Sequence, residues 1–127
     1  MKGRIILVVD DEADCVTTLE LGLGILTDVV VRGVASAEDA LAILDRDTIS
    51  AVITDVQLPG LSGLDFLARL REHTRWRALP VVVISADPNP ETPAAALRMG
   101  ADAFFAKPFS PAAVRRKLEE LMYAKSV

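Results

Sequence analysis

Three acids, a hydroxyl and a lysine carry the chemistry open to this sequence, and each stands where an apolar run stops. Asp55 follows Ala51-Val52-Ile53-Thr54 and precedes Val56-Gln57-Leu58-Pro59-Gly60, so a β-branched run delivers one carboxylate into a Pro-Gly turn. Asp10-Asp11-Glu12 closes Ile5-Ile6-Leu7-Val8-Val9, Ser85 closes Val81-Val82-Val83-Ile84, and Lys107-Pro108 closes Ala103-Phe104-Phe105-Ala106. Three carboxylates brought to one place repel, and burying them unpaired costs several kcal/mol, which one lysine does not offset. A hard divalent cation is the simplest complement. Oxygen ligands, few carboxylates and room for water suit Mg²⁺, whose shell a phosphate commonly completes. In that setting Asp55 is a nucleophile able to form an acyl phosphate, with Asp10 and Asp11 holding the metal. Lys107 pairs with Asp55 at rest and with a phosphoryl oxygen later, and the Ser85 hydroxyl donates to another phosphoryl oxygen, drawing its loop inward.

These residues meet only if the elements that carry them are parallel strands of one sheet. Residues 5–9 form an uninterrupted apolar run, the pattern of a strand covered on both faces. Val16, Leu19, Leu23 and Leu26 then recur at helical spacing, with Asp11 and Glu12 at the helix start where the macrodipole favours acids. Residues 29–31 predict a second strand. Ser36-Ala37-Glu38-Asp39 opens a helix with a capping pattern and an apolar face of Ala40, Leu41 and Leu44. Residues 51–54 are a third strand, and Ser62-Gly63-Leu64-Asp65 repeats the capping pattern before a helix striped by Leu64, Leu67 and Leu70.

Residues 81–84 are the fourth strand. Pro88, Pro90 and Pro93 stiffen the segment after it and oppose a helix until its last residues, which predicts a short helix over 94–99 closed by Gly100. Residues 103–106 give a fifth strand. Ser110 and Pro111 then cap and start a last helix with Val114, Leu118 and Leu121 inward. Five strand-helix repeats with short connections imply an α/β fold with a parallel sheet and helices on both faces, in which every strand ends at the same edge.

The totals agree with one such domain. The chain has 127 residues, 51% of them hydrophobic, enough to bury a real core. A net charge of -4 argues against a general nucleic-acid or anionic-membrane surface, so no direct nucleic-acid or membrane partner is expected. One cysteine, Cys15, excludes an internal disulfide and a cysteine-rich zinc site and points to a reducing, cytoplasmic setting. Lys2 and Arg4 before the first apolar run resemble the start of a secretion signal, but Asp10-Asp11-Glu12 ends that run too early and no cleavage site follows.

With these residues in view, the sequence resembles the receiver domains of two-component response regulators, chemotaxis-regulator-like in extent, over about residues 4–121. The resemblance rests on Asp10-Asp11, on Asp55 with Leu58-Pro59-Gly60, on Ser85 and on Lys107-Pro108-Phe109. It implies a flavodoxin-like (βα)5 fold, doubly wound, with five strands in the order 2-1-3-4-5, and a single receiver domain over residues 1–127. It further implies that Asp55 takes a phosphoryl group from the phosphohistidine of a sensor kinase or phosphotransfer protein. Mg²⁺ is then expected on Asp11, Asp55 and the backbone carbonyl of Gln57, with Asp10 acting partly through water. The aromatic switch position falls on Phe104, which lacks a hydroxyl and so reports only by burial. Gln57 and Asp87 are expected to flank the approach of the hydrolytic water. An output domain or a homodimer contact is expected on the face of the fourth helix, fifth strand and fifth helix.

Each residue alone has a plainer explanation: helix-start acids for Asp10-Asp11, a solvated lysine for Lys107, a turn serine for Ser85. Convergence at one edge is what those explanations leave out. His73 is a helix-end surface residue and Cys15 a packing residue, and neither receives a role. Arg69, Arg71, Arg75, Trp76 and Arg77 read most simply as a solvated helix end, with a partner surface as the alternative, and Arg115-Arg116-Lys117 is likewise a solvated run that could sit at an interface. Two other functions compete with a non-enzymatic phosphoacceptor. An Mg²⁺-dependent aspartyl-phosphate phosphohydrolase would want an acid two residues beyond the nucleophile, where Gln57 stands. A receiver-like interaction domain that never takes phosphate would not need all of Asp10, Asp11, Asp55, Ser85 and Lys107. The residues after the last helix are too few for a DNA-binding or enzymatic output domain, so the expectation is a single-domain regulator or a piece of a longer protein.

Overall fold

The computed structural model describes residues 3–123. Lys2 and the two extremes of the expected 1–127 domain lie outside them. Five strands, β1 (Arg4–Val9), β2 (Val29–Val34), β3 (Ala51–Asp55), β4 (Val81–Ser85) and β5 (Ala103–Ala106), alternate with five helices, α1 (Ala13–Leu23), α2 (Ala37–Arg46), α3 (Gly63–Glu72), α4 (Thr92–Arg98) and α5 (Pro111–Tyr123). The strands are all parallel, in the order β2-β1-β3-β4-β5.

The unbroken apolar runs follow from a sheet covered on both sides, because successive side chains of a strand point to opposite faces. Leu7, Val9, Val52, Val81 and Val83 face a core shared with Ala37, Ala40 and Leu44 of α2, Phe66, Leu67 and Leu70 of α3, and Ala96 of α4. Their neighbours Ile6, Val8, Ala51, Ile53, Val82 and Ile84 face the other core, built with Leu19 and Leu23 of α1 and Val114, Leu118 and Met122 of α5. A one-residue slip of β3 or β4 would exchange the two sets, so register is fixed by both cores at once.

Several local expectations need correction. β2 runs three residues beyond Val31 to Val34, since its pairing with β1 continues from Arg4↔Val29 to Val9↔Val34. α1 stops at Leu23, and Leu26 packs from the following turn, its N–H donating to the Leu23 carbonyl. α4 begins at Thr92 rather than Ala94, because Pro93 occupies the first turn, where a helix needs no donor. Leu41, Leu64 and Leu121 are only partly buried. Ile43, Phe66 and Met122 take the inward positions beside them. The capping patterns hold: Ser36 Oγ accepts from Asp39 N–H and Ser62 Oγ from Asp65 N–H, both at 3.1 Å.

Arg71 departs furthest from expectation. It is not a solvated residue of a helix end but a half-buried clamp whose side chain is 17% exposed. Its guanidinium donates to the carbonyls of Gly100 (2.9 Å), Trp76 (3.2 Å), Arg77 (3.1 Å) and Leu79 (2.7 Å), and to Asp102 Oδ2 (3.2 Å). Burial lowers its pKa and the Asp102 carboxylate opposes that shift. Asp102 Oδ2 also accepts the N–H of Val81, tying the start of β4 to the turn before β5. Gly100 fits this junction because its φ of +110° is one that side-chain-bearing residues rarely adopt. Arg69, Arg75 and Arg77 stay at the surface, while Trp76 is partly buried against the core of α2, α3 and α4, with His73 stacked on it at 4.3 Å between ring centroids.

Candidate phosphoryl-acceptor site

The strand order brings the expected residues to one edge. β1 and β3 are neighbours, so Asp10, just past Val9, lies beside Asp55, the last residue of β3. Ser85 ends β4, and Lys107 follows β5. This is the switch in strand order at which parallel sheets open a crevice between helices of opposite faces. α3 presses close behind it. The Gly63 N–H donates to the Val56 carbonyl at 2.9 Å, and a Cβ on Gly63 would overlap the Asp55 carbonyl oxygen. A glycine at the helix start thus holds the Asp55 backbone against α3.

Asp10 and Asp55 are buried, Asp11 is exposed, and the three offer oxygen atoms that all lie within 4.8 Å of one another. Lys107 Nζ is bonded to Asp10 Oδ2 at 2.9 Å, Asp55 Oδ2 at 2.9 Å and Glu12 Oε1 at 2.7 Å. The second oxygens are held by backbone: Asp10 Oδ1 accepts from Glu12 N–H (2.9 Å) and Asp55 Oδ1 from Gln57 N–H (3.2 Å). Burial pushes the Asp55 pKa above the usual carboxylate range, against the opposing pull of Lys107. Burial alone would lower the Lys107 pKa, but Glu12, Asp10 and Asp55 hold it well above the ordinary lysine value. Burial, aided by a hydrogen bond to Asp10, pushes the Cys15 thiol up to about 12, so at neutral pH it is a protonated, unreactive packing residue.

Three carboxylates, those of Asp10, Glu12 and Asp55, therefore surround one ammonium, and a fourth, that of Asp11, lies close to Asp10 and Asp55. All are hard oxygen donors with an exposed member at the mouth, and a cleft of about 310 Å³ opens beside Asp10 and Asp11 toward Val16, Thr17 and Gly33. The donor set fits a hydrated Mg²⁺ and does not fit a soft-ligand metal.

Ser85 Oγ accepts the Asp87 N–H at 2.9 Å, leaving its own hydrogen free to turn. The Asp87 carboxylate is engaged within its own loop. Its oxygens accept from Asn89 N–H (3.0 Å) and the buried Thr92 hydroxyl (2.9 Å), linking the loop after Ser85 to the first turn of α4. Gln57 is exposed, beyond Asp55. Phe104 pairs with Val83 across the sheet and is half-buried against the core of α2, α3 and α4. Arg115 and Lys117 pair along α5 with Glu119 at 3.9 Å and Glu120 at 3.0 Å.

Glu12 was absent from the expected site. As the third acid of a strand-ending run it reads as a helix-start residue, and it is indeed the N-cap of α1, yet its side chain makes no cap bond and reaches Lys107 instead.

The family model of the response regulator receiver domain matches residues 6–119. The chain belongs to that family. This receiver domain is 30% identical over 123 residues to the chemotaxis protein CheY-3 of Vibrio cholerae, covering 94% of the chain and 92% of that relative. It is 43% identical over 93 residues to the sensory/regulatory protein RpfC of Xanthomonas campestris, covering 72% of the chain but 12% of that much longer protein. A response-regulator crystal structure from Chloroflexus aurantiacus superposes with a TM-score of 0.89 at 31% identity, covering 96% of this chain and 99% of the other. The flavodoxin-like receiver fold and a place in two-component signalling are thus established. Among the described residues no helix is long and apolar enough to cross a membrane.

Proposed function

We propose that this receiver accepts a phosphoryl group on Asp55 from the phosphohistidine of a sensor kinase or phosphotransfer protein. The observation that carries the reading is the meeting of Asp55 with Asp10 and Asp11 within 4.8 Å, under a lysine bonded to two of the three. An Asp55 carboxylate oxygen attacks phosphorus; the new P–O bond forms as the P–N bond breaks, and its electron pair stays on the departing imidazole. Asp10, Asp11, Asp55 and the Gln57 backbone carbonyl would hold Mg²⁺, which when bound would neutralise charge on the phosphoryl oxygens. Lys107 turns an N–H from its carboxylate partners to a phosphoryl oxygen, and Ser85 donates its hydroxyl to another. Water later attacks phosphorus; the bond from the Asp55 oxygen to phosphorus breaks, its electron pair returns to the Asp55 carboxylate, and phosphate and a proton leave. The domain does no chemistry on other substrates and is not an enzyme.

Signalling follows from Ser85. Its movement toward Asp55 strains the Asp87 N–H bond, and through Asp87 and Thr92 it disturbs the start of α4. Phe104, half-buried beside Val83, adjusts its burial in step, changing the face of α4, β5 and α5 offered to an output domain or a second copy. The chain then works as one domain over residues 1–127, with a core of about 4–121, in the cytoplasm. The test is intact mass after incubation with a small phosphodonor. A phosphoryl adduct that requires Mg²⁺ and disappears in Asp55→Asn is expected; an adduct that survives that substitution, or none at all, overturns the proposal.

A further inference from the structure

We propose that Glu12 is a positioning residue that latches Lys107 at rest and yields it to the phosphoryl group. This rests on the phosphoacceptor reading and extends it to a residue outside the metal site. A lysine ammonium has three hydrogens, and Lys107 meets three acceptors: Asp10, Asp55 and Glu12. A phosphoryl oxygen can gain a hydrogen bond from Lys107 only if one acceptor lets go. The three differ sharply in what release costs. The Asp10 side chain is fully buried and that of Asp55 is 7% exposed, so either would be left desolvated. Glu12 is 64% exposed and is rehydrated as soon as it swings out.

Geometry supports a latch over a helix cap. Glu12 sits at the N-cap of α1, where its side chain could serve its own helix, but it makes no such bond. Its backbone N–H fixes Asp10 Oδ1, while its carboxylate crosses to the residue after β5. One residue therefore ties the two walls of the crevice together through Lys107. A second cleft, of about 250 Å³, runs along this bridge past Cys15, Thr18 and Phe109, giving the released side chain open space.

The experiment compares the native chain with Glu12→Ala and with Glu12→Asp, which keeps the charge but shortens the side chain by one methylene. Two readouts are used: adduct formation against small-phosphodonor concentration with Mg²⁺, and solvent exchange of the Lys107 ammonium hydrogens by ¹⁵N-lysine NMR without donor. Both variants should exchange the Lys107 hydrogens faster and should raise the rate at saturating donor by about two- to fivefold, the scale of a half-exposed ion pair. The half-saturating donor concentration should stay unchanged. The latch is overturned if Glu12→Asp behaves like the native chain while Glu12→Ala lowers only the half-saturating concentration, the signature of charge repulsion at a distance. It is also overturned if neither variant changes Lys107 exchange, or if both form adduct more slowly. Absence of any adduct in the native chain overturns the phosphoacceptor reading, while the exchange measurement still decides whether Glu12 holds Lys107.

Discussion

Two cations sit at opposite edges of the same sheet, and they are treated very differently. Arg71, at the edge where β4 and β5 begin, donates to four neutral carbonyls and one carboxylate, a matched set that closes three chain segments. Lys107, at the edge where the strands end, faces three carboxylates with a fourth, Asp11, close by. The first arrangement is complete. The second is short of positive charge, and that shortage is what a metal ion and a phosphoryl-transfer reaction can use. A fold that places all strand ends together can concentrate charge at one edge only if the other edge holds the layers firmly.

Four perturbations would break or sharpen this contrast. Arg71→Ala should be the most damaging, destabilising the domain by ~3 kcal/mol in urea unfolding, because it strands partly buried carbonyls and Asp102 together. An unchanged midpoint would mean the opposite edge does not depend on its clamp. Gly63→Ala should cost about 2 kcal/mol, since its Cβ must push α3 off the Asp55 carbonyl, and it should also weaken Mg²⁺ binding, linking backbone fit to the site. A mutant of native stability would show that α3 can retreat freely.

Mg²⁺ at about ten times its dissociation constant should raise stability by about 1.4 kcal/mol in native protein, with the increment lost in Asp11→Asn and kept in a surface variant such as His73→Ala. Equal increments in all three would place the ion elsewhere.

Asp55→Asn should give the smallest change, a gain of ~1 kcal/mol at neutral pH from removing a buried carboxylate that also lies beside Asp10. The sign follows from its raised pKa: the folded state holds the Asp55 proton to higher pH than the unfolded chain does. Its contribution is thus most favourable below 3.8 and declines as pH rises through the folded value. The advantage of asparagine should accordingly shrink as pH falls and vanish below 3.8. Thermal unfolding across pH checks this, and a gain that grows in acid would contradict it.

Much of the site was legible because it sits where periodic signals stop. Asp10, Asp55, Ser85 and Lys107 each end a strand, and a parallel sheet necessarily gathers such residues. Their chemistry followed from that convergence of acids, hydroxyl and lysine, while the phosphohistidine donor, the Gln57 carbonyl and the Phe104 switch came only from resemblance to a family. What sequence hid was long-range pairing. Arg71 looks solvated because its near neighbours are basic and polar, while Gly100 and Asp102, which bury it, lie 29 and 31 residues further along. Glu12 looks like a helix-start acid because that local preference is genuine, and only the return of β5, 95 residues later, supplies its partner. The bond from the Thr92 hydroxyl to Asp87 was hidden for a related reason: Thr92 belongs to a helical turn that the prolines seemed to forbid.

The central claim, that the edge short of positive charge serves phosphorylation of Asp55, is tested most directly by locating the phosphoryl group. Protein treated with a small phosphodonor and Mg²⁺ would be reduced with borohydride, which converts an aspartyl phosphate to homoserine, then digested and sequenced by tandem mass spectrometry. Homoserine at position 55 alone, and only when Mg²⁺ was present, is the predicted result. Homoserine at Asp10, Asp11 or Glu12, or an unmodified Asp55 in protein that carries phosphate elsewhere, would contradict it.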